Sequence, residues 1–142
     1  MKRYKIGYTQ GVFDMFHVGH LNIINRAKEY CDFLIVGVNS DRLVQEYKHK
    51  TPVISQEDRL RIVENLKAVD KAVIAETLDK LLSQKELQYN AIFIGSDWKD
   101  NPRWQQTSRD LAEVGVDVVF LPYTDGISST KLRSHEEEKI GE

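Results

Sequence analysis

A pair of histidines behind a short loop is the first feature of the sequence with clear chemical potential. The segment from Gly11 to His20 reads Gly-Val-Phe-Asp-Met-Phe-His-Val-Gly-His and joins an apolar run to a helical pattern. Glycine allows the backbone to approach a ligand closely. His17 and His20 are three residues apart at the predicted helix start, so they can share one face. The free N–H groups and positive dipole end of that helix make the segment a candidate anion site.

These residue types suit chemistry at a phosphate. Phosphoryl and nucleotidyl transfer depend mainly on positioning and on the stabilisation of charge. A phosphate monoester is already a nucleophile, so it needs hydrogen-bond donors around it more than a strong base. We therefore predict that His17 and His20 stabilise the transition state without forming a covalent intermediate. Alternatively, the two histidines are polar surface residues without a catalytic role. A zinc site is disfavoured because no cysteine or third histidine lies at ligand spacing.

Two further patches follow predicted strands and can contact a nucleotide. Hydroxyl groups and free N–H groups in 126–130 open the last predicted helix, where they suit terminal phosphates, although a plain helix cap has the same composition. Gly95 is followed by Ser96 and then by Asp97 and Trp98. This carboxylate and indole can read and flank a base, or they can form a turn with an aromatic lid on the core.

Alternating apolar runs and helical patterns position these patches. Strands are predicted at 4–9, 33–38, 71–74, 91–94 and 116–121. Helices are predicted at 20–30, at 55–66 with Ser55 as the cap, after a Thr77 cap, at 102–113 with Gly115 ending it, and from Ser128 or Ser129. Such alternation predicts a Rossmann-like, doubly wound parallel sheet of five strands with helices on both faces. Ligands bind such sheets beyond the carboxyl ends of the strands, where the strand order reverses.

Length and composition predict one cytoplasmic domain. The chain has 142 residues, 41% of them hydrophobic, and a net charge of −2, which disfavours broad nucleic-acid binding. Its single cysteine, Cys31, fits a reducing compartment and is expected to be buried. No apolar run is long enough for a membrane span or a signal peptide. We expect the domain to cover 1–133 and a polar tail to cover 134–142, with 47–52 as the most flexible loop.

The loop from Gly11 to His20 resembles the HxGH signature of the cytidylyltransferase family, within the HxGH nucleotidyltransferase superfamily. Three more patches resemble that family in the same order along the chain. The segment 57–59 is similar to its Glu-His-Arg patch, and 95–98 to the Gly-Asp-Asp-Trp segment beside the cytosine pocket. The segment 123–130 is similar to its Arg-Thr-Glu-Gly-Ile-Ser-Thr-Thr signature. The resemblance extends from the first strand to Arg133.

The resemblance implies a set of site residues. It assigns catalytic roles to His17, His20 and Lys50. It assigns nucleotide contacts to Gly11, Val12, Phe13, His17, His20, Lys48, Arg59, Lys67, Gly95, Asp97, Trp98, Tyr123, Thr124, Gly126, Ile127, Ser128, Ser129 and Thr130. Lys48 and Lys50 match lysines of a mobile loop that reaches the phosphates, and 77–80 is expected to line the acceptor side.

Two substitutions depart from the family pattern. Tyr123 replaces an arginine that meets the triphosphate, so the missing charge must come from elsewhere, with Lys131 and Arg133 as nearby candidates. Lys67 replaces an arginine on the second predicted helix and keeps the charge without the bidentate fork. We therefore expect the two histidines to carry a larger share of the phosphate stabilisation.

The resemblance implies transfer of CMP from CTP to a phosphorylated alcohol, with Mg²⁺ on the phosphates and pyrophosphate released. It is closest to the short glycerol-3-phosphate cytidylyltransferases, which make CDP-glycerol for teichoic acid or capsule polymers. That branch also implies a homodimer. Three alternatives remain: an ethanolamine- or choline-phosphate acceptor, an adenylyltransferase of the same superfamily, and a non-catalytic nucleotide-binding module. Protein ligands for a metal are not identifiable from the sequence.

Overall fold

Five parallel strands form one sheet in the chain. A computed structural model describes residues 3–122. The strands are β1 (Tyr4–Gly11), β2 (Cys31–Asn39), β3 (Lys71–Ala75), β4 (Ala91–Gly95) and β5 (Asp117–Leu121). They are ordered β3-β2-β1-β4-β5, and all four neighbouring pairs are parallel. The predicted α/β class and doubly wound parallel sheet are confirmed.

Helices cover both faces of the sheet. They are α1 (Val18–Glu29), α2 (Asp41–Lys48), α3 (Gln56–Glu64), α4 (Lys80–Leu87) and α5 (Pro102–Ala112), with a 3₁₀ turn at Ser96–Trp98. Ile24 of α1 and Val63 of α3 pack with Leu34 in one buried cluster. Trp104 of α5 packs with Ile35 in a second cluster on the opposite face. Successive residues of β2 therefore feed two separate cores, as expected for a strand buried on both sides.

The local signals for helix boundaries are partly confirmed. Ser55 caps α3 by accepting a hydrogen bond from the backbone N–H of Asp58, and Pro102 is the first residue of α5. Gly115 has a φ of 80°, as a left-handed residue after a helix requires. The predicted Thr77 cap is wrong, because Asp79 caps α4 and accepts from two backbone N–H groups of its first turn.

Helix α2 is absent from the sequence prediction. Ser40 caps it, but only Leu43 and Val44 are buried along its eight residues, so its apolar stripe is very short. The polar stretch therefore resembles a loop by composition. The expected flexible loop 47–52 is corrected accordingly, since Tyr47 and Lys48 belong to the last turn of this helix.

The strand order reverses between β1 and β4, and this reversal locates the site. Gly11 ends β1 and Gly95 ends β4, so the loops that follow both strands meet at the carboxyl edge of the sheet. Cys31 is fully buried, as expected. Within residues 3–122 there is no helix with the length and hydropathy needed to cross a membrane.

Candidate active site

The loop between β1 and α1 is held in an unusual backbone conformation. Phe13 and Met15 have φ angles of 55° and 49°, in the left-handed region that non-glycine residues rarely adopt. The carboxylate of Asp14 accepts hydrogen bonds from the backbone N–H groups of Val53 (2.7 Å) and Ile54 (2.9 Å). The Phe13 ring is 1% exposed and packs edge-on to His20. These contacts on both sides stabilise the strained turn that leads into the histidines.

His17 and His20 lie together at the start of α1. His17 is the helix cap, and its Nδ1 accepts a hydrogen bond from the backbone N–H of Gly19 at 3.0 Å. His20 Nδ1 accepts from the backbone N–H of His17 at 3.2 Å. The two rings are stacked with centroids 3.9 Å apart. Because Nδ1 is the acceptor in each ring, the neutral form of each carries its proton on Nε2 and offers a donor there.

Burial keeps the imidazole ring of His20 uncharged at physiological pH. Only 2% of the residue is exposed. Burial, with a smaller contribution from neighbouring His17, lowers the pKa of His20 to about 3. The structure thus places the two predicted histidines side by side. In this environment the His20 ring can donate a hydrogen bond without carrying a positive charge.

Arg59 lies beneath the loop as an internal crosslink. The residue is 1% exposed. Its Nη1 donates to the carbonyl oxygens of Val12 (2.8 Å) and Asn39 (2.7 Å), and its Nε donates to that of Ile54 (2.8 Å). Its Nη2 pairs with Asp41 at 2.5 Å. These bonds use four of the five donors of a guanidinium. Arg59 therefore positions the loop from below, and its predicted contact with the nucleotide stays a prediction.

An open cleft of about 360 Å³ lies between the end of α2 and the start of α5. In the part of the chain that the structure describes, its lining residues are Tyr47, Lys48, Trp98, Asn101 and Arg103. Two predicted nucleotide contacts, Lys48 and Trp98, are therefore brought together on one surface. Both belong to elements that follow the carboxyl ends of strands, as the fold requires.

The remaining predicted residues occupy several places. Gly95 is buried at the end of β4, and Asp97 is exposed in the following 3₁₀ turn. Lys50 is exposed two residues beyond the end of α2. The nucleotide and cation candidates of the C-terminal patch lie outside the described residues. They are Tyr123, Thr124, Gly126, Ile127, Ser128, Ser129, Thr130, Lys131 and Arg133.

Lys67 lies at the opposite end of the sheet from the histidines. The prediction that it belongs to the second predicted helix is wrong, because α3 ends at Glu64. The chain then turns, and the backbone N–H of Asp70 bonds to the carbonyl of Leu34 just before β3 begins. Lys67 is therefore an exposed residue at the amino edge of the sheet, whereas the start of α3 lies at the carboxyl edge beside Asn39.

Two cations near the site, Lys80 and Arg103, were not singled out individually from the sequence. Lys80, the first residue of α4, is 5% exposed, and its Nζ lies 5.4 Å from the centroid of the Trp104 ring. Burial, assisted by the charge of Arg103, lowers the pKa of Lys80 to about 7. The available signal was a lysine or arginine in a predicted first helical turn, where the helix dipole disfavours positive charge.

Comparison with known proteins gives this geometry a context. A family model described as cytidylyltransferase-like matches residues 8–135. The chain belongs to the cytidylyltransferase-like family. A glycerol-3-phosphate cytidylyltransferase from Bacillus spizizenii is 32% identical over 126 residues, which cover 88% of this chain and 92% of that protein. The predicted family resemblance is thereby confirmed.

Other similar proteins leave the acceptor open. The bifunctional protein HldE of Hyphomonas neptunium is 33% identical over 135 residues, or 94% of this chain and 27% of HldE. The chain thus spans about a quarter of the length of that relative. A lipopolysaccharide core biosynthesis protein from Thermoplasma volcanium has a similar structure, with a TM-score of 0.71 and 25% identity, covering 85% of this chain and 97% of that one. These relatives therefore share the family with this chain and do not agree on one function.

A metal ion at this site would have to arrive with the nucleotide. Residues 3–122 contain no group of three or more histidine, cysteine or acidic side chains that could hold a metal. Magnesium is commonly bound by one or two carboxylates and the phosphates of the substrate, with water completing its shell. Asp97 is an exposed carboxylate at the carboxyl edge of the sheet, and its chemistry is of the kind that binds Mg²⁺.

Proposed function

We propose that this cytidylyltransferase-like protein transfers CMP from CTP to glycerol 3-phosphate, producing CDP-glycerol and pyrophosphate. The observation that carries the proposal is the pair of imidazole rings at the start of α1, each with Nδ1 occupied as an acceptor. Two N–H donors beside a helix N-terminus suit the oxygens of an α-phosphate. The similarity to the Bacillus spizizenii enzyme over most of both chains supports this acceptor over larger ones.

The proposed reaction needs no covalent intermediate on the protein. A phosphate oxygen of glycerol 3-phosphate attacks the α-phosphorus of CTP and forms a new P–O bond. The bond from the α-phosphorus to the oxygen bridging the α- and β-phosphates breaks, and pyrophosphate leaves with that electron pair. His17 and His20 donate through Nε2 to oxygens whose negative charge grows in the transition state. Mg²⁺, when bound to the triphosphate, supplies further neutralisation of charge.

A buried lysine supports a phosphorylated acceptor. Lys80 Nζ donates one hydrogen bond, to the carbonyl of Leu78 at 2.9 Å, which leaves donors for a ligand. Its lowered pKa reflects the energetic penalty of a charge in a desolvated position. A phosphate dianion beside this lysine would stabilise the charged form. The proposal therefore keeps 77–80 on the acceptor side.

The decisive experiment is a matrix of nucleoside triphosphates against phosphorylated acceptors, measured as pyrophosphate release. The acceptors are glycerol 3-phosphate, ethanolamine phosphate, choline phosphate and a sugar phosphate. We expect the highest kcat/KM with CTP and glycerol 3-phosphate. Turnover only with ATP, or with a different acceptor, would replace the proposal. Nucleotide binding without any pyrophosphate release would identify a non-catalytic module.

The histidines are tested with a matched pair of substitutions in the active pairing. His17→Asn can keep an acceptor near the position of Nδ1 but removes the Nε2 donor, while His17→Gln restores a donor near Nε2. We expect His17→Asn to lower kcat by about 100- to 1000-fold, the usual loss for one transition-state donor. His17→Gln should recover part of that loss. Unchanged kcat in His17→Asn would remove this residue from the mechanism.

A homodimer and a cytoplasmic location complete the proposal. The homodimer follows from the family resemblance, and the cytoplasmic location follows from the composition of the sequence. Sedimentation of the purified chain, with and without CTP, measures the first directly. A monomer that remains fully active would contradict the dimeric assignment without affecting the proposed chemistry.

A further inference from the structure

Two helices of this protein carry a cation at the end where the helix dipole opposes it. Lys80 is the first residue of α4 and Arg103 is the second residue of α5. No acidic residue lies in the first turn of α5, and its cap is the uncharged Asn101. Asp79 caps α4 and partly balances Lys80, whose charge is nonetheless disfavoured by burial. The N-terminus of a helix is itself positive, so the position of Arg103 is locally unfavourable. Local conflicts of this kind are characteristic of functional sites, where a ligand supplies the compensating charge.

The two cations also affect each other. The charge of Arg103 contributes to the lowered pKa of Lys80, after the larger effect of burial. Lys80 Nζ lies over the ring of Trp104, the residue that follows Arg103. The positive charge is therefore concentrated where α4 and α5 meet, and an anion placed there would interact favourably with both side chains.

The Trp98 ring orients the side chain of Arg103, and within residues 3–122 no carboxylate pairs with its charge. Its guanidinium carbon lies 5.4 Å from the centroid of the Trp98 ring. Within residues 3–122 this guanidinium has no hydrogen bond and no ion pair. Stacking on an indole limits the motion of the side chain while leaving its N–H donors available. This is the state expected of an arginine that is positioned for a ligand.

The cleft beside Arg103 has the lining of an anion site. Lys48 forms part of the same surface, together with the indole of Trp98, a phenol and a carboxamide. Among residues 3–122, no acidic side chain lines the cleft. Its volume of about 360 Å³ is sufficient for a small phosphorylated alcohol.

We propose that Arg103 binds the phosphate of the acceptor in this cleft, with Lys48 contributing to the same site, and thereby determines selectivity for phosphate monoesters. This inference rests on the proposed function. The planar guanidinium fork matches two phosphate oxygens, which gives directional recognition that an ammonium group lacks. The histidines and the helix start of α1 are assigned to the α-phosphate of the nucleotide. Lys48 and Trp98, which the resemblance assigns to the nucleotide, place the cleft where the two substrates meet, and Arg103 is the cation there with no such assignment.

The test compares three variants by steady-state kinetics with each substrate varied in turn. In Arg103→Ala we expect the KM for glycerol 3-phosphate to rise by about tenfold to a hundredfold, as for loss of a charged hydrogen-bonded pair. The KM for CTP should stay within about twofold, since the α-phosphate contacts are unchanged. Arg103→Lys should fall between the wild type and Arg103→Ala because it keeps the charge and loses the fork. Arg109→Ala, on the exposed last turn of the same helix, is the control for the change in net charge.

The outcomes separate this inference from the proposed function. An unchanged acceptor KM in Arg103→Ala, a rise in the KM for CTP instead, or an equal effect in Arg109→Ala overturns the assignment. If the wild type releases no pyrophosphate with any pair, the proposed function fails. The inference is then decided by ³¹P NMR titration with glycerol 3-phosphate, using glycerol as the uncharged control. Weaker binding by Arg103→Ala than by the wild type and Arg109→Ala supports the site, whereas equal binding or no binding by the wild type refutes it.

Discussion

His20 links the candidate active site to the acid stability of the fold. Burial lowers its pKa from 6.5 to about 3 in the folded protein. The unfolded chain binds a proton at this position once the pH falls below about 6.5, whereas the folded chain does so only near pH 3. The stability that His20 contributes is therefore complete above the unfolded pKa. It is lost progressively as the pH falls from about 6.5 towards 3.

The size of the effect follows from this difference in proton binding. At pH 5 the pH lies about 1.5 units below the unfolded pKa, so protonation of His20 stabilises the unfolded state by about 2 kcal/mol. At pH 7 this stabilisation of the unfolded state is close to zero. In His20→Asn this titration is absent, and the amide oxygen can still accept from the backbone N–H of His17. The free energy of unfolding of the wild type should thus fall about 2 kcal/mol more than that of His20→Asn between pH 7 and pH 5.

Urea unfolding at a series of pH values measures this difference directly. His49→Asn is the matched control because His49 is exposed and has a φ of 58°, a left-handed conformation that asparagine tolerates. We expect His49→Asn to retain the steep acid dependence of the wild type. Parallel curves for the wild type and His20→Asn would refute the claim that His20 is buried in the neutral form.

Two further predictions concern the contacts that hold the loop before the histidines. Arg59→Met should destabilise the fold by about 3 kcal/mol, because it leaves three carbonyl groups and Asp41 without their partner, whereas Arg61→Met on the exposed face of α3 should have little effect. Equal urea midpoints for the two variants would contradict the crosslink. Asp14→Ala should lower kcat by about tenfold to a hundredfold through misplacement of the histidines, with a loss of only about 1–3 kcal/mol in stability. A normal kcat in this variant would show that Asp14 does not position them.

The fold was predictable because its strands are short apolar runs with helical patterns between them. The strand at 33–38 is buried almost throughout, and such a run is difficult to place anywhere except in the middle of a parallel sheet. Helix α2 was missed for the opposite reason. It has only two buried residues and depends on contacts distant in sequence, such as the ion pair from Asp41 to Arg59. Periodicity carries little information when tertiary contacts stabilise a helix this short.

The site was predictable where chemistry and spacing coincide and not where folding changes a residue's environment. The histidine pair is adjacent on one helix, so its proximity follows from local geometry. The burial of Arg59 depends on partners just after β1, at the end of β2 and just before α3, which no local pattern reveals. Lys67 shows the same limitation, because the early end of α3 leaves it at the far edge of the sheet. The family motifs thus pointed to Arg59 and Lys67 but did not reveal whether either side chain faces the ligand.

The neutral state of His20 changes how the charge of the phosphates must be balanced. Tyr123 stands where the resemblance places an arginine, and we expected the histidines to compensate. A ring with a pKa of about 3 supplies a hydrogen bond at neutral pH but no positive charge. Hydrogen bonds from charged groups are the stronger ones, so the compensation for a missing guanidinium must come mainly from cations. Lys48, Lys80 and Arg103 are cations at the α4–α5 junction and the cleft, and a missing arginine at position 123 gives a physical reason for positive charge to gather in that region.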